Sequence, residues 1–102
     1  MSKSRDDLQL LLEEILGSTN VYFQPPANVR MRYPAIVYSL GRITDWDADN
    51  NPYVHNKAYT ITLIDQDPDS EIVDKLIDLQ YCDFDRSYAS VHLNHFVFTL
   101  YY

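Results

Sequence analysis

Three aspartates alternate in the stretch DWDADNN, residues 45 to 51: Asp45, Asp47 and Asp49. They take the first, third and fifth positions of the calcium-loop pattern D-x-[DN]-x-[DN]-G-x5-E, in which alternate side chains reach one ion. The remainder of the pattern fails. Position six is Asn50, where glycine makes the sharp turn, and position twelve is Asn56, where a bidentate glutamate is required. No helical pattern flanks the stretch. It reads as the solvated, acidic tip of a hairpin and not as a metal site.

Cys82, His92 and His95 are a second set with metal-binding chemistry. His92 and His95 differ by an odd number, so a regular strand points them to opposite faces. Three residues do not complete a tetrahedral structural zinc site. A nucleophilic pair of Cys82 with a histidine has no local motif behind it, and Cys82 reads as a small buried thiol. A third set is Asp65, Asp67, Asp69 and Glu71. Such carboxylates are what a small metal-dependent nuclease uses, but no lysine or histidine is well placed beside them. Helix capping and the helix dipole already account for most of that charge.

Phosphate chemistry is poorly served. The only two glycines, Gly17 and Gly41, lie in separate regions, so there is no glycine-rich loop. Arg30 and Arg32 share one side of an extended segment. In a chain of net charge −7 they are expected to meet carboxylates, within the chain or on a neighbouring subunit. The same net charge disfavours nucleic acid and anionic membranes as direct ligands. No catalytic set and no cofactor site emerge, a profile that fits an assembly component better than an enzyme.

The elements that position these residues belong to one domain, since 102 residues bury a single core. One cysteine forms no internal disulfide, and no apolar run is long enough for a signal peptide or membrane span. Nine tyrosines are unusual for this length, and they read either as half-buried strand residues or as interface residues. Residues 4 to 16 predict a helix: Ser4 caps it, Leu8, Leu11, Leu12 and Ile15 make its apolar face, and Gly17 ends it. After Pro25 and Pro26, the alternation of Val29, Met31 and Tyr33 with Arg30 and Arg32 predicts an extended segment. A strand that is apolar on nearly both sides follows Pro34, through Ile36, Tyr38 and Leu40. Residues 57 to 65 alternate as a strand with a threonine-rich face. A second helix is expected to begin with Asp67 as cap and Pro68 in its first turn, and residues 95 to 102 predict a closing strand. The order is α-β-β-β-α-β-β. It gives an α+β fold, a mostly antiparallel sheet of four to five strands packed against two helices, with one long hairpin whose tip is residues 45 to 56.

The phrases VYFQPPANVRMRYPAIVYSL, YTITLIDQDPDSEIVDKLIDL and LNHFVFTLYY, with the hairpin between the first two, resemble the small tail terminator, or tail completion, proteins of long-tailed bacteriophages. The resemblance spans residues 5 to 102 and rests on element order and on the phrases YPAIVY, DPDSEI and NHFVFTLYY. It implies a virion protein that forms a homo-hexameric ring on the head-proximal end of the tail tube. Such a ring stops tube growth and offers a surface to the head connector or head-closure protein. It implies no cofactor and no catalytic residue. A ring requires two complementary patches on each subunit. Arg30 and Arg32 are the candidates for one of them. Asp45, Asp47 and Asp49 are candidates to line the channel, where they would repel passing DNA, or to touch the adjacent ring. Two alternatives stay open: a head-side connector or head-closure protein, and, from a different class, the small metal-dependent nuclease using the carboxylates near residues 65 to 71.

Overall fold

The computed structural model describes residues 4–45 and 55–102, with residues 42–45 and 55–56 described through their backbone alone. Helix α1 (Arg5–Leu16) starts where its sequence directs. The Ser4 hydroxyl accepts the Asp7 N–H at 3.2 Å, and Asp6 and Asp7 place negative charge in the first turn. Gly17 ends the helix in the left-handed region at φ 82°, and its N–H donates to Glu13 O at 2.9 Å. The helix buries Leu8, Leu12 and Leu16, with Leu11 and Ile15 partly covered at the margin. Each fully buried leucine contributes about 1.5–3 kcal/mol relative to exposure.

Strand β1 (Val21–Phe23) runs parallel to β2 (Ala35–Asp45). The segment expected to be extended at residues 29–33 joins no sheet. Val29 and Met31 are half-buried while Arg30 and Arg32 are exposed, so the alternation is real, but the backbone is not paired. Pro25, Pro26 and Pro34 supply no N–H to a ladder, and Val29 N–H turns back to Pro26 O at 3.1 Å. Residues 24–34 instead form the crossover that two parallel strands need.

β2 pairs antiparallel with β3 (His55–Asp65) from Ala35↔Ile64 to Asp45↔His55. The connecting residues 46–54, where the hairpin tip was expected, lie outside the described residues. Gly41 sits at a register shift between Leu40 and Arg42, and a Cβ there would meet Ala58 O at 3.0 Å, so the close approach of β3 favours a glycine. Helix α2 (Glu71–Ile77) follows. It does not start at Pro68. Asp65 Oδ1 accepts the Asp67 N–H and Asp67 Oδ1 accepts the Asp69 N–H, so both carboxylates are engaged in turns. The N-cap is Ser70, whose hydroxyl accepts the Ile72 N–H.

β4 (Cys82–Ser90) and β5 (Leu93–Tyr101) form a hairpin, and β5 inserts beside β3. The sheet order is β1-β2-β3-β5-β4. The fold is thus α+β, with two helices and a mostly antiparallel five-stranded sheet. Directly opposed residues share a face. Ile36, Leu63 and Phe96 form one row, and Tyr38, Ile61, Phe98 and Phe84 form the next. These rows meet Leu8, Leu12 and Leu76 in one core, so both helices cover the same face. The other face carries Thr60, Thr62 and Thr99, all half-buried.

Candidate functional site

The chemistry expected from the sequence is dispersed. Arg30 and Arg32 project from the β1–β2 crossover, both exposed, and neither pairs with a carboxylate among the described residues. Asp45 ends β2, its backbone opposite His55, while its side chain, Asp47 and Asp49 lie outside the described residues. His92 sits in the β4–β5 turn, whereas His95 lies in β5 and stacks on Tyr88, with ring centroids 4.6 Å apart and planes 6° from parallel. Cys82 is half-buried at the core margin, and burial pushes its thiol up to about 11, so it is held as the unreactive thiol at neutral pH. Among the described residues no group of three or more His, Cys, Asp or Glu is placed to hold a metal ion.

One polar network is well built, and it serves architecture. The Tyr38 hydroxyl donates to Gln9 Oε1, while Gln9 Nε2 donates to Val21 O at 3.0 Å and Glu13 Oε2 at 2.9 Å. α1, β1 and β2 are tied at one residue. The Tyr38 ring is fully buried between Phe23 and Tyr59, with centroids at 5.0 and 6.1 Å. Burial raises the Tyr38 phenol above its ordinary value, with Arg5 opposing. Arg5 itself lies over the Phe23 ring at 4.3 Å.

The unusual surface is at the other end of the sheet. β4 is an edge strand nine residues long, half-buried only at Cys82 and exposed at the other eight positions. Phe84 keeps 48 % of its surface exposed although its ring edge rests on Phe98, and Tyr88 keeps 47 %. The adjoining turn is odder still. Ser90 pairs with Leu93, so Val91 and His92 alone make the turn, with φ of 53° and 63°. Two-residue turns with both φ positive favour Asn-Gly or Asp-Gly. A β-branched valine there is strained by about 1–2 kcal/mol. That valine is also 84 % exposed, so no burial offsets the strain within the monomer.

Tyr81, Phe84, Tyr88 and Val91 are thus all exposed along the β4 rim, Phe84 on the helix-covered face with Phe98 and Tyr88 on the opposite face with His95, and Asp83 and Asp85 lie between them in sequence. Asp85 pairs with Arg86 at 2.9 Å, both exposed. A groove of about 420 Å3 runs beside the rim, lined by Thr60, Asp83, Asp85, Thr99 and Tyr101 among others. Sequence reasoning missed this rim. The one hint was the tyrosine content: Tyr38 and Tyr59 are buried, Tyr22, Tyr101 and Tyr102 half-buried, and Tyr33, Tyr81 and Tyr88 exposed. No family profile, curated protein or solved structure matches the chain.

Proposed function

We propose that the chain is a structural subunit of a tailed-phage virion, a tail terminator that assembles into a ring on the head-proximal end of the tail tube. In this reading it ends tube growth and presents the surface on which the head connector or head-closure protein docks. The observation that carries it is the β4 rim: an exposed edge strand with apolar side chains, ending in a strained and exposed Val91. Open strand edges are normally short or guarded by lysine, proline or a covering element. β4 holds neither lysine nor proline, and its guards are the charges of Asp83, Asp85 and Arg86 and the bulge between Phe84 and Arg86. The resemblance of the phrases YPAIVY, DPDSEI and NHFVFTLYY to those of tail terminators supports the same reading. The carboxylates at 65 and 67 hold turn backbone, an architectural use that does not call on metal chemistry.

The acidic stretch at Asp45, Asp47 and Asp49 lines the channel or touches the next ring in this proposal. Reversing all three to lysine should slow genome passage or block ring stacking, and unchanged infectivity with normal tails would refute that role. The function itself is tested by deleting the gene from the phage that encodes it and imaging the particles. Overlong or headless tails are the expected result. Leaking or empty heads would assign the chain to the head side of the junction instead. Normal particles, or turnover of DNA or RNA by the purified protein with magnesium or manganese, would overturn the reading.

A further inference from the structure

We infer that the β4 edge of one copy joins the opposite flank of the sheet in a second copy, with Asp83 and Asp85 facing Arg30 and Arg32. This inference rests on the ring reading above and names the two patches that such a ring would use.

The two flanks of the sheet suit each other in polarity. β4 runs antiparallel to β5, which is antiparallel to β3, which is antiparallel to β2, and β1 is parallel to β2. A second copy placed beside β4 in the same orientation therefore offers β1 and β2 as antiparallel partners. That flank is itself incompletely closed. β1 covers only Ile36 to Tyr38 of the eleven-residue β2, and the Gln24 side chain extends the cover by one contact, accepting the Leu40 N–H at 3.2 Å. Beyond Leu40 no strand lies on that side of β2 among the described residues.

The side chains match as well. Leu40, 38 % exposed, and Phe84, 48 % exposed, stand on the same face of the sheet, at opposite flanks. Joining the flanks brings an apolar side chain from each copy onto one surface. The charges are opposite on balance: Asp83 and Asp85 on β4, with Asp85 also paired to Arg86 at 2.9 Å, and Arg30 and Arg32 on the crossover that follows β1. Those arginines have no ion-pair partner among the described residues. Because the two patches lie at different places on one chain, the contact is head-to-tail, the kind that closes into a ring or runs on as a filament.

The experiment uses two full-length variants, Asp83→Lys/Asp85→Lys and Arg30→Glu/Arg32→Glu, each examined by sedimentation beside the wild type. All four positions are exposed, so the fold should persist, and circular dichroism checks it. Each variant alone places like charges across the contact and should associate at least about tenfold more weakly than wild type. An equimolar mixture restores opposite charges at every contact, through alternating subunits, and should recover wild-type assembly. Rings that form unchanged in either variant alone, or a mixture that stays dissociated, would overturn this interface while leaving the terminator reading in place. Wild-type protein that associates neither with itself at any concentration nor with tail tubes would overturn both.

Discussion

The two flanks of the sheet are finished differently. On the β1 flank a three-residue strand, one helix and two glutamines cover β2 as far as Leu40: α1 packs its leucines on β2, Gln9 ties Tyr38 to Val21, and Gln24 caps the backbone at Leu40. On the β4 flank a strand three times as long as β1 stands almost wholly in solvent. Its turn carries a strained valine where asparagine would relax it. The part of the first flank that β1 and α1 cover serves the stability of the monomer, while β2 beyond Leu40 has no strand beside it among the described residues. The second keeps a turn that simple substitutions would stabilise, and the proposed ring would use this flank as a contact.

That contrast can be broken at its strongest point first. Leu12→Ala removes a fully buried side chain from the α1–sheet contact and should cost about 2–5 kcal/mol in chemical denaturation. A loss under about 1 kcal/mol would mean that the helix-covered face is not the core. Next in size is the turn, with the opposite sign. Val91→Asn with His92→Gly suits the two positive φ values and should stabilise the monomer by about 1–2 kcal/mol while weakening self-association. A destabilised variant would contradict the strain, and a variant that assembles as well as wild type would contradict its use.

Smaller again is Tyr38→Phe, which keeps the buried ring but strips Gln9 of a donor. It should cost about 1 kcal/mol by the same denaturation assay. At neutral pH the least effect on stability is expected from the ionisation of Cys82. Its thiol is raised in the folded chain from an ordinary 9.0 to about 11. Protonated Cys82 is therefore favoured by folding, and its contribution is fully present below pH about 9 and lost as pH rises through about 11. Alkylation of the native protein should be slow at pH 8, with the rate climbing toward a midpoint near 11. A midpoint near 9 would show that the thiol is not shielded.

The closed flank was also the part that the sequence announces. Ser4, the leucines at helical spacing and Gly17 fix α1 because each local preference agrees with the burial that follows. β2, β3 and β5 are legible because half of their residues face a core and so alternate or run apolar. β4 has almost no such face. Its residues answer to solvent on both sides, and the bulge between Phe84 and Arg86 breaks what alternation there is. Val91 and His92 hide the hairpin, since neither residue is a turn former. The displaced elements have similar causes. β1 is too short to show a period, and the alternation at 29–33 belongs to a proline-bounded crossover. The aspartates before α2 mimic a cap while serving turns that precede it. Arg30 and Arg32 were visible as cations, but the acidic β4 edge proposed to face them could be picked out only with the sheet order.

The account stands on β4 as the surface through which the chain meets its neighbours. Amide hydrogen exchange, followed residue by residue in dilute monomer and in assembled protein, tests that directly. The β4 amides whose N–H groups point away from β5 should exchange fast in the monomer and become protected on assembly, together with the β1 flank. Assemblies in which those amides exchange as fast as in the monomer, with protection appearing elsewhere, would contradict it.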